Sequence, residues 1–305
     1  MSVERQVLLV DTYSLFFRAY HALPEMNTAS GEPTSAVYGF CAALLKELKD
    51  YAPAQLAFAV DAPQKTFRHE RFASYKGTRD ATPSPLVAQF GRLRQLLAAF
   101  GVPVYQVPGV EADDVLATLA AQLASVDGAV PAGAGHQVLV LSGDRDLLQV
   151  ARADVRILFL GARGQKPSIY DIARVHERFL VRPEQLPSWV ALVGDASDNL
   201  PGVPGVGPRT ASKWVREFGG IRELLAHMSQ VRPARLQAPL LAHSEQLLLN
   251  EELATLRADV PLGDGPWAAP LGHDAFDRLR ALFIELEFKS LRARLDELER
   301  ASLGS

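Results

Sequence analysis

The chain has 305 residues, of which 48% are apolar and 22% charged, enough for one large or two ordinary globular domains and outside the composition of disordered chains. Its one cysteine, Cys41, excludes an internal disulfide and a Cys-based zinc site, so a reducing cytoplasmic compartment is expected. No apolar run reaches signal-peptide or membrane-spanning length, so a soluble protein without a membrane partner is expected, and the net charge of −3 by itself argues against nucleic-acid binding.

In chain order, the first apolar run, Val7-Leu8-Leu9-Val10, ends in Asp11. The stretch from Thr34 to Tyr51 carries Val37, Phe40, Cys41, Leu44, Leu45 and Leu48 at helical spacing, with Thr34 as N-cap. A second apolar run, Leu56 to Val60, ends in Asp61. Next comes a basic stretch, in which Lys65, Arg68, Arg71, Lys76, Arg79, Arg92 and Arg94 face only Glu70 and Asp80. A helix is predicted from Ser84 to Phe100, with Leu86, Phe90, Leu93 and Leu97 on one face. Glu111-Ala112-Asp113-Asp114 opens another, and the apolar run Val138 to Leu141 leads into Ser142-Gly143-Asp144-Arg145-Asp146. Strands are predicted at 6–11, 55–61, 102–107, 137–142 and 155–160.

Alternating strands and helices predict an α/β fold, a mostly parallel central sheet flanked by helices, over residues 1–182. A Gly/Ala/Pro-rich surface loop is expected at 127–136. Beyond Pro183 strand signals fade, so 183–305 is read as a helical subdomain closed by the segment Asp274 to Leu298.

Each acidic elbow alone has an ordinary explanation, since acids in a helix's first turn meet free N–H groups and the helix dipole. Together they exceed that need, because capping asks for one polar residue per helix. Two hard divalent cations about 4 Å apart take roughly four to eight carboxylates. The nine acids of the five elbows, the fifth being Gly194-Asp195-Ala196-Ser197-Asp198-Asn199, match that demand.

The segment Phe67 to Arg79 interleaves cations with aromatics, the composition of a single-strand groove, although a solvated helix face has the same pattern. In Pro201-Gly202-Val203-Pro204-Gly205-Val206-Gly207-Pro208-Arg209-Thr210 three glycines permit close backbone approach, and the following helix start, with Arg209, Thr210 and Lys213, suits a phosphate. A dinucleotide-binding fingerprint is excluded because no strand immediately precedes these glycines.

Leu9-Val10-Asp11, Phe67-Arg68-His69-Glu70, Tyr75-Lys76-Gly77-Thr78-Arg79, Glu111 to Asp114, Asp144-Arg145-Asp146 and Gly194 to Gly202, in this combination and order, resemble the 5′ nuclease (flap endonuclease) family. The resemblance covers nearly the whole chain. It implies metal-binding roles for Asp11, Asp61, Glu111, Asp113, Asp114, Asp144, Asp146, Asp195 and Asp198, holding two divalent ions, Mg²⁺ or Mn²⁺. Lys76 and Arg79 fall at the base of a helical arch spanning about 63–100 and act in catalysis with Asp11, Asp61, Asp144 and Asp146. DNA contacts fall to Arg18, Arg68, Arg71, Tyr75, Lys76 and Arg79. Further DNA contacts fall to Gly202, Val203, Gly205, Val206, Gly207, Arg209, Thr210 and Lys213 of a helix-three-turn-helix at about 186–228, with K⁺ at its hairpin.

The implied partners are DNA with a 5′ flap or 5′ end, RNA-primed DNA, and a DNA polymerase in cis or trans, the chain itself being a monomer. Arg209 stands where the family often has Lys, and Ala196 where it often has Glu. The rival readings are a silent DNA-structure binder, which gains nothing from nine repelling carboxylates, a PIN-type ribonuclease, which lacks the glycine hairpin, and a small-molecule phosphatase, which has no use for the basic arch.

Overall fold

The computed structural model describes residues 6–125, 137–161 and 165–303. The expected loop at 127–136 lies outside them. Strands form at β1 (Val7–Asp11), β2 (Gln55–Ala59), β3 (Val104–Tyr105), β4 (Val138–Ser142) and β5 (Val155–Phe159), where the apolar runs predict them. Strand β6 (Ser168–Tyr170) was not foreseen, its three residues being too few to carry a period. The sheet order is β3-β2-β1-β4-β5-β6, parallel except for β6 against β5. Crossovers reverse direction between β1 and β4, which places a crevice at their carboxyl ends.

The helices are α1 (Thr12–Ala22), α2 (Ser35–Tyr51), α3 (Phe67–Arg71), α4 (Ser84–Val87), α5 (Phe90–Phe100), α6 (Ala112–Ser125) and α7 (Ile172–Phe179). They continue with α8 (Leu186–Val193), α9 (Pro208–Phe218), α10 (Ile221–Ala226), α11 (Gln237–Ala242), α12 (Ser244–Ala254), α13 (His273–Glu285) and α14 (Lys289–Leu303).

The predicted helix over 84–100 is two helices, and Gln89 at the break explains why. Its buried amide accepts from Ala36 N at 2.8 Å and donates to Pro85 O, so it caps α2 from outside. Thr34, the expected cap, makes no side-chain capping bond. The α5 face buries Leu93, Leu96, Leu97 and Phe100. At roughly 1.5–3 kcal/mol per fully buried apolar side chain, α5 is held in the core, so 90–100 is not part of a free-standing arch.

Alternating strand residues divide the core. Val7, Leu9, Val140 and Ile157 pack with α6 and α8 to α11, whereas Leu8, Val10, Phe58 and Leu139 pack with α1, α2, α5, α13 and α14. The closing helices therefore seal the α/β core. They do not extend the helical subdomain as the 183–305 boundary supposed, because Phe276, Leu279, Phe283, Leu291 and Leu295 need the apolar face of α2 and α5.

Candidate active site

The acids gather at the carboxyl edge of the sheet. Asp11 ends β1, Asp61 follows β2, Glu111 and Asp113 open α6 after β3, and Asp144 and Asp146 follow β4. Asp195 and Asp198 come in on the loop after α8. That loop folds as a tight turn in which Asp195 N donates to Leu200 O at 2.9 Å and Leu200 N returns to Asp195 O at 2.8 Å.

Local donors fix several of these carboxylates. Asp11 caps α1 by accepting from Ser14 N at 3.1 Å and takes a 2.5 Å bond from Ser142 Oγ. Asp61 Oδ1 accepts from Ala112 N, and Asp144 Oδ1 from Asp146 N. The carboxylates of Asp113 and Asp146 accept no hydrogen bond from the described residues.

Burial and mutual repulsion raise the proton affinity of Asp11, Asp61, Asp113, Asp144 and Asp146. Burial, with the charges of Asp61 and Asp144 adding to it, pushes Asp11 up to about 7. Asp113 rises by burial and then by Asp144 and Asp11, and Asp146 by burial and then by Asp144, Asp198 and Asp195. Asp144 rises by burial, with Asp198 and Asp195 adding to it. Their mutual repulsion ties Asp11, Asp61, Asp113, Asp144, Asp146, Asp195 and Asp198 into one electrostatic cluster.

The donors are all carboxylate oxygens, the kind that suits hard divalent cations. Among the described residues no three His, Cys, Asp or Glu side chains stand close enough together to hold a metal ion. Neighbouring cations pair with three of the carboxylates. Lys76 Nζ lies 2.8 Å from Glu111, Arg79 Nη2 3.0 Å from Asp198, and Arg145 Nη2 3.1 Å from Asp195. Arg145 escaped the sequence reading, although a cation between two site acids was a usable signal.

The turn after α3 is strapped to the Asp195–Asn199 loop. Lys76, in the left-handed region at φ 54°, donates its N–H to Asp198 O at 3.1 Å, and Asn199 Nδ2 donates to Ser74 O at 2.8 Å. Lys76 is thereby held among the acids, where Glu111 and Asp198 outweigh the effect of burial and raise its proton affinity.

Expected roles change at four positions outside the glycine segment. Tyr75 is 3% exposed, packs with Leu200 and Leu253, and donates its hydroxyl to Asp198 and Glu111, so its ring is closed to a stacking base. Arg68 is 1% exposed and forks onto both oxygens of Asp114 at 2.6 and 2.8 Å, which closes it to DNA. Asp114 also accepts from Glu111 N and Arg257 N, which fills its lone pairs and removes it from the ligand set. Arg18 donates to the carbonyls of Leu160 and Gly161.

The segregation of charge is also less than the sequence suggested. Arg92 pairs with Glu32 and Glu285 on the core side, and Arg71 pairs with Glu252 across to α12. Arg71 remains exposed, in a type of pair worth little, and is available to a phosphate.

The glycine segment links α8 to α9. A Cβ at Gly202 would meet Val193 O at 2.2 Å, because this strand of loop crosses directly over the end of α8. Val203 and Val206 are buried, with their N–H groups bonded to Leu192 O and Val203 O, so neither offers a donor to DNA. Gly205, Gly207, Arg209 and Lys213 are exposed, Thr210 is half-buried, and Arg209 and Lys213 lie one turn apart on α9.

Residues 6–180 match the family model described as 5′-3′ exonuclease, N-terminal resolvase-like domain, and residues 181–271 match 5′-3′ exonuclease, C-terminal SAM fold. The chain therefore belongs to the 5′-3′ exonuclease family, and it is a nuclease. Among its curated relatives, DNA polymerase I of Mycobacterium bovis is 40% identical over 300 residues, 98% of this chain and 32% of that protein. The thermostable DNA polymerase I of Thermus aquaticus is 38% identical over 296 residues, 96% of this chain and 33% of that protein. The chain thus spans about a third of the length of these relatives.

Two solved structures share the fold. The T5 D15 protein co-crystallised with metal ions superposes with a TM-score of 0.67 at 22% identity, covering 97% of this chain and 100% of that one. The catalytic core of Rad2 in complex with DNA substrate gives 0.64 at 17%, covering 97% and 93%. No helix among the described residues is long and apolar enough to cross a membrane.

Proposed function

We propose that this chain is a structure-specific 5′ nuclease that hydrolyses DNA phosphodiesters at 5′ flaps and 5′ ends in primer removal and DNA repair. The observation that carries the reading is the acid cluster at the sheet's carboxyl edge, where the carboxylates of Asp113 and Asp146 accept no hydrogen bond from the described residues and feel the charge of Lys76. The metal-bound T5 D15 and DNA-bound Rad2 structures support it. Asp11, Asp61, Glu111, Asp113, Asp144, Asp146, Asp195 and Asp198 would hold two divalent ions, Mg²⁺ or Mn²⁺. When bound, such ions lower the pKa of an attacking water and stabilise the attacking and leaving oxygens.

The chain's own residues orient the substrate. Lys76 and Arg79 meet the scissile phosphate, and Arg71, Arg209, Thr210 and Lys213 hold backbone phosphates, with Gly205 and Gly207 allowing close approach at a hairpin that would hold K⁺. The setting is cytoplasmic, the chain a monomer, and the partner a DNA polymerase in cis or trans. The test uses a 5′-labelled flap, a blunt duplex and a single strand with Mg²⁺, Mn²⁺ or EDTA. Metal-dependent products at the flap junction are expected, and unchanged substrates with both metals would refute the reading.

A further inference from the structure

The Arg68–Asp114 pair is the most enclosed charge pair beside the site, at 1% and 0% exposure. Arg68 makes contacts in three directions. Its Nη1 and Nη2 fork onto Asp114, Nη1 also stands 3.4 Å from Glu111 Oε2, and Nε donates to Leu253 O at 2.8 Å. Asp114 in turn accepts from Glu111 N at 3.0 Å and from Arg257 N at 2.9 Å. The pair joins α3, the start of α6 and the end of α12, and it faces the carboxylate on which Lys76 rests.

We propose that Arg68 and Asp114 are positioning residues for cleavage, fixing Glu111 and through it Lys76, and that Asp114 takes no part in holding metal. The proposal rests on the 5′ nuclease reading. Breaking one side of a buried pair is strongly destabilising, whereas replacing both sides with apolar residues is often neutral or better. That asymmetry separates positioning from stability. In an Arg68→Met/Asp114→Leu double variant no buried charge is left unpaired, but Glu111 has lost its neighbouring cation and its orientation.

The full chain and its variants are measured three ways: Mn²⁺ affinity by electron paramagnetic resonance without DNA, Tm by calorimetry, and single-turnover flap cleavage with binding in Ca²⁺. Asp114→Asn is expected to keep Mn²⁺ affinity within about twofold while Asp113→Asn loses about tenfold or more. The double variant is expected to melt above either single variant yet cut about thirtyfold or more slowly than the wild type, with flap affinity within about threefold. Arg68→Lys keeps the charge but cannot fork, and is expected to be slow too, which covers the case of a double variant that does not fold.

The proposal is overturned if Asp114→Asn loses Mn²⁺ affinity as Asp113→Asn does. It is also overturned if the double variant, or Arg68→Lys, cleaves at the wild-type rate. A wild-type chain that neither binds Mn²⁺ nor cuts the flap would instead refute the function reading on which the proposal stands.

Discussion

Tyr75 donates its hydroxyl to Asp198 Oδ2 at 2.8 Å across 123 residues of chain, and Glu111 Oε2 stands 3.1 Å from the same hydroxyl. Burial, together with the charges of Glu111 and Asp198, pushes the phenol's pKa upward, so it stays a donor. One proton donor thus holds two carboxylates that would otherwise repel.

Replacing Tyr75 with Phe removes the hydroxyl donor from Asp198 Oδ2 and Glu111 Oε2. The variant is expected to lose about 1–3 kcal/mol in urea unfolding, the usual cost of an unmade buried hydrogen bond. Amide exchange at 74–79 should quicken with it. Unchanged exchange there would show that the strap is held by its other bonds.

Stability without divalent ions should fall as pH rises. Asp11 titrates near 3.8 unfolded and about 7 folded, and Asp113, Asp144 and Asp146 shift the same way. The native state therefore binds more protons than the unfolded chain, so this contribution is fully present below about pH 4 and is lost as pH rises through about 7. In EDTA the Tm is expected to be lower at about pH 8 than at about pH 5, and added Ca²⁺ should raise it more at the higher pH. A Ca²⁺ effect independent of pH would count against these acids as the binding site.

Lys76→Ala is expected to slow single-turnover cleavage by about 10²–10³-fold while flap binding changes far less, as for a group that meets developing charge. Near-normal chemistry with weakened binding would make Lys76 a docking residue.

Two glycines of the hairpin should behave oppositely. Gly202→Ala forces a Cβ to 2.2 Å from Val193 O and is expected to cost more than about 2 kcal/mol, because backbone cannot yield as a side chain can. Gly207 has nothing within 4 Å of an added Cβ and a φ of −103°, so Gly207→Ala should be neutral or stabilising by up to about 1 kcal/mol. Equal losses in urea melts would contradict the crossing of this loop over α8.

Much of the candidate site was legible because each elbow is local. An apolar run makes a buried strand, and the residue that ends it emerges at the sheet's edge, as Asp11 and Asp144 do. What failed was mostly long-range pairing. Arg68 and Tyr75 look like surface residues in a basic, aromatic run, and only the approach of α6, α12 and the Asp195–Asn199 loop buries them. Gln89 reads as a mid-helix polar residue until α2 arrives with uncapped N–H groups.

The sequence by itself determined the parallel sheet, the helical stripes and the order of the acids, since periodicity and chain order are properties of neighbouring residues. Tertiary structure alone decided which acids keep free oxygens and which are consumed. A carboxylate's role depends on the donors that reach it, and for Asp114 and Asp198 those donors come from segments distant in the chain.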